Sequence, residues 1–288
     1  MKAEGIALVT GASRGIGRAL VLELAASGFE VVATMRDPAA GADLPAEAAR
    51  RGGCLRVERL DVTRPETIEI PAGLRVLVNN AGVEGQHHPV ELTPAQVWRD
   101  LVETNLLGAV SVTSKAIARL REGGGGVVCT ITSLSLLAPM PFFAPYRATK
   151  AALSAFGESL RAELAQFGIR VVEIMPGPID TDMYRESERP LEALEHPAYR
   201  DLAQRITELR APSASMLTPV AAAAREIVNA ILDDGGPLRH SCDPLGAALL
   251  ERWRSVSDEE MMRSMLGGVV VAAPDAVLDP PGNQSRVG

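Results

Sequence analysis

The sequence predicts an α/β fold, a doubly wound parallel β-sheet with helices on both faces. Six short runs rich in Val, Ile and Leu recur along the 288 residues, and longer stretches with helical spacing lie between several of them. Several short runs are almost continuously apolar, which is typical of strands buried on both faces of a sheet. Strand–helix–strand repeats of this kind form parallel sheets with right-handed crossover connections.

The predicted elements follow one another regularly along the chain. The strands are residues 5–10, 29–35, 54–60, 74–80, 126–133 and 169–175, with 238–243 as a candidate last strand. The helices are residues 15–27, 94–121, 146–167, 219–233 and 244–266. No linker divides the sequence, so we expect one domain over residues 1–270. Residues 271–288 are rich in Pro and Gly, and we expect them to form a loose tail.

Composition argues against several classes of protein. The 36 acidic and 29 basic residues give a formal net charge of −7, and no cluster of Lys and Arg suggests a nucleic-acid-binding surface. No stretch reaches the roughly 18 apolar residues that a membrane span requires. The three cysteines form no Cys-x-x-Cys pair, which favours reduced thiols and a cytoplasmic protein.

A glycine-rich turn lies between the first predicted strand and the first predicted helix. Its glycines are Gly11, Gly15 and Gly17. A turn at this place directs free backbone N–H groups and the positive end of a helix dipole at one point, which suits a phosphate. Gly11 would allow the tight turn, Gly15 the approach of a ligand, and Gly17 the packing of the helix on the strand. The turn alone is also compatible with a merely structural role.

Further motifs appear downstream in a fixed order. They are Thr10-Gly11-x-x-x-Gly15-x-Gly17, Asp61-Val62, Asn79-Asn80-Ala81-Gly82, Asn105, Ser133, Tyr146-x-x-x-Lys150 and Pro176-Gly177. Over about residues 5–235 this set closely resembles the short-chain dehydrogenase/reductase family. The resemblance implies a single Rossmann-like domain with about seven parallel strands, a nicotinamide dinucleotide cofactor, and hydride transfer between an alcohol and a carbonyl. It also implies a homodimer or homotetramer.

The catalytic candidates are Ser133, Tyr146, Lys150 and Asn105. Tyr146 and Lys150 are four residues apart on a predicted helix and therefore share a face. A nearby ammonium favours phenolate, so we expect Lys150 to lower the pKa of Tyr146. The resemblance implies that Tyr146 is the general acid/base, that Lys150 also holds the nicotinamide ribose, that Ser133 steadies the substrate oxygen, and that Asn105 anchors a water in a proton relay. Each residue alone has a plain alternative, such as a helix-surface pair or a strand-end cap.

The cofactor candidates favour NADP(H) over NAD(H). Asp37 lies near the position of an acid that would read a ribose 2′-hydroxyl. Alignment of the strand end with the family, however, places Met35 at that position, with Arg36 next and Arg14 inside the glycine turn. Two guanidinium groups suit a 2′-phosphate. The resemblance assigns adenine to Asp61, Val62, Asn79 and Ala81, and the carboxamide to Ile179 and Thr181. It adds Ser13, Ile16, Gly82, Pro176 and Gly177, and again Tyr146 and Lys150, to the cofactor-binding set.

The candidate substrate residues are mostly apolar. They are Leu134, Met140, Phe142, Phe143 and Tyr184, under a variable lid at about residues 182–216. Resemblance to 17β-hydroxysteroid and retinol dehydrogenases suggests a bulky apolar alcohol or ketone, such as a steroid, a retinoid or an aryl ketone. His87 and His88 are interpreted as a solvent-exposed loop pair, since no zinc-ligand spacing is present.

Other functions remain open at this stage. They are an NAD-dependent alcohol dehydrogenase of the same family, a non-catalytic NADP-sensing regulator, and a sugar-nucleotide epimerase or dehydratase. A sensor usually lacks the Tyr/Lys pair, which this sequence has, and the epimerases have a different glycine spacing.

Overall fold

A seven-stranded parallel sheet forms the centre of the protein. The computed structural model describes residues 1–137 and 140–266. The strands are β1 (Ile6–Thr10), β2 (Glu30–Met35), β3 (Cys54–Arg59), β4 (Leu74–Asn79), β5 (Gly126–Ile131), β6 (Ile169–Ile174) and β7 (Arg239–His240). Their order in the sheet is β3-β2-β1-β4-β5-β6-β7, and every pairing is parallel. The predicted fold class is confirmed.

The helices cover both faces of this sheet. They are α1 (Gly15–Ser27), α2 (Leu44–Arg50), α3 (Ala95–Leu101), α4 (Gly108–Glu122), α5 (Ala144–Leu164), α6 (Asp182–Ser187), α7 (Arg200–Arg210), α8 (Val220–Leu232), α9 (Pro244–Ser255) and α10 (Asp258–Leu266). On one face of the sheet, a buried apolar cluster joins α1 and α8 to strand residues such as Val9. On the opposite face, a second cluster joins α4 and α5 to strand residues such as Leu8. Alternate strand residues therefore serve opposite layers of the core.

The strand order reverses between β1 and β4. β1 pairs with β2 on one side and with β4 on the other, so the crossovers leave the sheet in opposite directions at this point. In doubly wound sheets, ligands bind at the carboxyl ends of the strands beside such a switch point. The fold therefore places the glycine-rich turn after β1 next to a natural binding crevice.

Several helix boundaries differ from the prediction. The stretch 94–121 is interrupted by a π-helical turn at Val102–Leu107, and 244–266 breaks at Val256, which is extended. Short helices that lack a long apolar stripe, such as α2, were not predicted. The segment 182–216 contains α6 and α7. The domain limits stay a prediction, and the predicted tail, residues 271–288, lies outside the described residues.

Within residues 1–137 and 140–266, no helix is both long enough and apolar enough to cross a bilayer.

Candidate active site

One cleft runs along the carboxyl ends of the strands. Its volume is about 700 Å³, and it is lined by the glycine-rich turn, the ends of β2 to β6 and the lid segment. Every predicted site residue except Asn79, Asn105 and Phe142 lines it. Residues far apart in sequence therefore meet at a single site.

The glycine-rich turn has the conformation that the sequence predicts. Gly11 and Gly15 have φ values of 67° and 57°, which favour glycine. No side chain caps the start of α1, and its first turn contains no acidic residue, so its leading N–H groups are available to an anion. The side-chain amide of Asn80 donates to the carbonyl oxygens of Thr10 and Gly11, at 2.9 and 3.0 Å. These bonds hold the turn against the end of β4.

Gly17 should not tolerate a side chain. A Cβ there would lie 2.4 Å from both the Gly11 carbonyl oxygen and the Asn80 side-chain nitrogen. We expect Gly17→Ala to lower the free energy of unfolding by about 1–3 kcal/mol, because the turn must shift, and to weaken dinucleotide binding. Urea denaturation and NADPH fluorescence titration would measure the two effects. Gly235→Ala is the matched control, since its nearest heavy atom would be 3.7 Å away; equal effects in both variants would refute the explanation.

Asn79 is not where the sequence interpretation placed it. Its side chain is buried and donates to the Thr113 hydroxyl at 2.8 Å, so it anchors β4 to α4. The adjacent Asn80 lines the cleft instead. The assignment of Asn79 to the adenine pocket is therefore corrected, while Asp61, Val62 and Ala81 do line the cleft.

The end of the cleft formed by the carboxyl ends of β2 and β3 is charged. Burial acts to raise the pKa of Asp61, but hydrogen bonds from Thr63 and the nearby guanidinium groups of Arg36 and Arg64 lower it overall. Asp61 is therefore a carboxylate at neutral pH. Its backbone is held by the Thr67 hydroxyl, which accepts from the Asp61 N–H at 3.0 Å.

Two arginines lie at the same end of the cleft. Arg14 and Arg36 are exposed and both line it, and Arg14 forms an ion pair of 3.0 Å with Glu186 of the lid. Met35 is buried, and the Asp37 carboxylate accepts from the Ala39 N–H at 3.0 Å. Asp37 thus caps a short helical turn, and the guanidinium groups line the cleft.

Ser133, Tyr146 and Lys150 converge in the middle of the cleft. Ser133 follows β5, and the other two lie on α5. The Lys150 ammonium donates to the Ile131 carbonyl at 2.9 Å and lies 5.6 Å from the centre of the Tyr146 ring. The shared helix face therefore directs both side chains into the site, as the spacing predicts.

The pKa of Tyr146 moves opposite to expectation. Burial raises it, the Glu84 carboxylate raises it further, and the Ser133 hydroxyl opposes both. Burial also lowers the pKa of Lys150 to about 8, against an opposing contribution from Glu84. Desolvation and the Glu84 charge together raise the pKa of Tyr146, and Tyr146 is held as a neutral phenol, the form that donates a proton.

Asn105 lies beside the cleft, between the loop after β4 and α5. The π-helical turn carries it, and it is completely buried. Its oxygen accepts from the Val83 N–H at 2.8 Å, and its nitrogen donates to the Val83 carbonyl at 2.8 Å and the Thr149 hydroxyl at 3.1 Å. The side chain therefore fixes the loop after β4 to α5 and does not itself line the cleft.

The loop after β6 forms another wall of the cleft. Pro176, Gly177, Ile179 and Thr181 all line the cleft. The Gly177 N–H donates to the buried Asp243 carboxylate at 2.7 Å, and the Thr181 hydroxyl caps α6 by accepting from the Tyr184 N–H at 3.3 Å. Asp243 is a supporting residue that sequence reasoning missed, because no local motif links it to residue 177.

Most of the predicted substrate residues line the cleft. Leu134, Met140, Phe143 and Tyr184 do so, and the Tyr184 hydroxyl lies 2.7 Å from that of Ser213. Phe142 instead is buried in the lid core, edge-on to Tyr199 at 6.2 Å between ring centres. It does not line the cleft, so its assignment to the substrate wall is corrected.

The interpretation of His87 as a solvent-exposed residue is wrong. His87 is 6% exposed, stacks on Phe143 at 3.8 Å, and its Nε2 lies 3.0 Å from the Glu84 carboxylate. The aromatic stack excludes water from the ring. His88 is half-buried and lies beside Gln86 at 3.1 Å. In the part of the chain that the structure describes, no group of three or more His, Cys, Asp or Glu could hold a metal ion.

Comparison with known proteins identifies the family. A family model described as short chain dehydrogenase matches residues 5–192. This chain belongs to the short-chain dehydrogenase family. The resemblance predicted from the motifs is confirmed, and so is the likeness to 17β-hydroxysteroid dehydrogenases.

The chain resembles both curated and structurally solved relatives. It is 38% identical over 191 residues to estradiol 17-beta-dehydrogenase 2 of Rattus norvegicus; the match covers 61% of this chain and about half (48%) of that protein. A short-chain dehydrogenase structure from Streptomyces avermitilis is 31% identical, with a TM-score of 0.71 over 86% of this chain and 91% of the other. An actinorhodin polyketide ketoreductase solved with NADPH is 26% identical, with a TM-score of 0.71 over 84% and 95%.

Proposed function

We propose that this dehydrogenase is an NADP(H)-dependent oxidoreductase that interconverts a bulky apolar alcohol and its carbonyl. The observation that carries the proposal is the meeting of Ser133, Tyr146 and Lys150 in the cleft that begins at the glycine-rich turn. A proton donor, an oxygen-binding hydroxyl and a cation are the protein groups that carbonyl reduction needs.

The cleft residues fit a nicotinamide dinucleotide. The uncapped N-terminus of α1 suits a pyrophosphate, and a Cβ at Gly15 would lie 3.5 Å from Thr181, in space that a ligand could use. Asp61, Val62 and Ala81 would hold the adenine, and Ile179 and Thr181 the carboxamide. When bound, the cofactor supplies or accepts the hydride.

The chain's own residues manage the proton and the substrate oxygen. Tyr146 gives its hydroxyl proton to the oxygen of the reduced carbonyl, or takes it from the alcohol in the reverse direction. Ser133 donates a hydrogen bond to the same oxygen, and the Lys150 ammonium stabilises the phenolate that remains. Asn105 supports this arrangement by holding the Val83 loop.

The preference for NADP(H) rests on Arg14 and Arg36. Both line the adenine end, while Asp37, the nearby acid, is occupied by the Ala39 N–H. The 26% identical ketoreductase solved with NADPH supports this choice. Two guanidinium groups bind a dianionic phosphate strongly and gain nothing from a plain ribose hydroxyl.

We expect Arg36→Ala to weaken NADPH binding and leave NADH binding nearly unchanged. Loss of one charge-assisted contact should cost roughly 1.5–3 kcal/mol of binding free energy, which raises the Kd for NADPH by about 10- to 100-fold. Fluorescence titration with both dinucleotides measures the ratio. Arg99→Ala removes an exposed arginine outside the cleft and should change neither value. Equal losses for NADPH and NADH in the Arg36 variant would contradict the assignment.

The substrate proposal rests on the apolar wall of Leu134, Met140 and Phe143 and on the estradiol dehydrogenase relative. Steroids, retinoids and aryl ketones, with their alcohols, form the test panel, and NADPH absorbance is the readout. Reduction of none of them, with NADPH bound, would favour the NADP-sensing alternative. Turnover with NADH alone would favour the NAD-dependent alcohol dehydrogenase.

We also propose a homodimer or homotetramer formed through α4 and α5. Sedimentation velocity would measure the oligomeric state.

The buried free thiols of Cys129 and Cys242 support the proposed cytoplasmic location.

A further inference from the structure

Glu84 places a carboxylate in the substrate end of an otherwise largely apolar cleft. It lies in the loop after β4, and its side chain is 16% exposed. One oxygen, Oε1, lies 3.0 Å from His87 Nε2 and accepts from the Ser187 hydroxyl at 2.9 Å. Within residues 1–137 and 140–266, no donor reaches the other oxygen, Oε2, and it is not sealed from solvent. Glu84 therefore has an acceptor free for a ligand.

The partners of Glu84 hold its carboxylate in place. His87 is fixed by its stack on Phe143. Ser187, at the end of α6, accepts from the Arg210 guanidinium at 2.9 Å, and the same guanidinium lies 4.9 Å from the Phe143 ring centre. A carboxylate fixed in this way can recognise a ligand group by position.

The charge of Glu84 lies close to the reacting groups. It raises the pKa of both Tyr146 and Lys150, so its field reaches both. In the described chain, no Lys or Arg nitrogen lies within 4.0 Å of its carboxylate oxygens. The negative charge is thus left available to attract hydrogen-bond donors and to repel anions at the reacting end of the cleft.

A purely structural role would need only Oε1. The bond to Ser187 ties the loop after β4 to the lid, and that bond leaves Oε2 unused. A lid contact alone does not require a carboxylate in a residue that lines the cleft, because an amide or a hydroxyl could accept from Ser187 equally well.

We propose that Glu84 is a specificity-determining residue whose Oε2 accepts a hydrogen bond from a hydroxyl group of the substrate. This inference rests on the proposed oxidoreductase function. The preferred substrates are then neutral molecules with an apolar body and a hydroxyl in addition to the reacting carbonyl or carbinol. Ligands with a carboxylate in place of that hydroxyl are rejected by like-charge repulsion, and ligands with a methyl group there leave the carboxylate unpaired.

Three sets of aryl ketones test the proposal. They are the ortho, meta and para isomers of acetylbenzyl alcohol, acetylbenzoate and methylacetophenone. Each is titrated into the NADPH complex by nucleotide fluorescence and then assayed for NADPH consumption. For the best isomer, the native protein should favour the alcohol over the carboxylate by about tenfold or more. Glu84→Gln should reduce that ratio about fivefold, since the amide no longer repels the carboxylate, and Glu84→Leu should also remove the preference over the methyl compound.

Glu69→Gln is the matched control, because it makes the same chemical change at an exposed residue outside the cleft. It should leave the alcohol-to-carboxylate ratio within about twofold of native. An unchanged ratio in Glu84→Gln, an equal change in Glu69→Gln, or binding of none of the alcohols to the NADPH complex would overturn the proposal. Failure of the native protein to bind NADPH would instead refute the proposed function, and the same titrations report it separately.

Discussion

Replacement of Tyr146 by phenylalanine is expected to reduce kcat by about 10²–10⁴-fold or more, because the variant has no hydroxyl to exchange a proton with the substrate oxygen. The ring still fills its place on α5, so folding should be preserved. The Kd for NADPH should stay within about threefold of native, since the phosphate contacts lie elsewhere. Stopped-flow NADPH oxidation and fluorescence titration measure the two quantities.

Tyr199→Phe is the matched control for this experiment. The Tyr199 hydroxyl donates to Glu91 at 2.7 Å and lies outside the cleft, so the same chemical change should leave kcat unaltered. Substantial turnover by Tyr146→Phe would remove Tyr146 from the mechanism, whatever its position.

Replacement of Lys150 by methionine should abolish most activity without weakening the fold at pH 7. The ammonium that stabilises the phenolate is lost, and we expect kcat/KM to fall by about 10²–10⁴-fold. The pKa of Lys150 is lowered from 10.5 to about 8. The buried Lys150 charge therefore lowers the free energy of unfolding below pH 8. This loss disappears as the pH rises towards 10.5, the ordinary pKa that applies to the unfolded chain.

Removal of this buried charge has two opposing effects on stability. At pH 7, removal of the charge should raise the free energy of unfolding by up to about 3 kcal/mol, because no charged group is buried. Loss of the hydrogen bond to the Ile131 carbonyl should lower it by about 1–3 kcal/mol. Lys150→Met should therefore be about as stable as native at pH 7, and less stable than native by pH 10. Urea denaturation at both pH values measures the difference. A variant that unfolds readily at pH 7 would give Lys150 a mainly structural role.

Lys115→Met provides the comparison. The Lys115 ammonium also donates to backbone carbonyls, including that of Ile68 at 3.1 Å, but it lies outside the cleft. Activity and its pH dependence should match the native protein. A similar loss of activity in both lysine variants would show that the effect does not come from the catalytic site.

The strands and the main helices were predictable because their sequence signals are local. Continuous apolar runs set β1 to β6 within one or two residues, and strand–helix alternation makes the sheet parallel. The π-helical turn around Asn105 was not predictable, since one extra residue in a helix leaves the apolar pattern nearly unchanged. α6 and α7 lie in a segment of mixed polarity, and α7 packs in one apolar cluster with Phe142, which is distant in sequence.

The catalytic residues were predictable as a set, but some orientations were not. Asn79 and Asn80 are adjacent, and the end of β4 alone decides which of them faces the cleft. Phe142 and Phe143 are also adjacent and lie in one buried apolar cluster, yet only Phe143 lines the cleft. The burial of His87 and the charge of Glu84 depend on residues distant in sequence. No spacing rule could have found these contacts.

A crystal structure of the protein with NADPH and a ketone inhibitor tests the central claim most directly. We predict the pyrophosphate at the N-terminus of α1, the 2′-phosphate beside Arg14 and Arg36, and the Tyr146 hydroxyl within hydrogen-bond distance, about 2.6–3.2 Å, of the ketone oxygen. A complex in which the Tyr146 hydroxyl points away from the nicotinamide ring, or in which the glycine-rich turn makes no contact with the dinucleotide, would contradict the account.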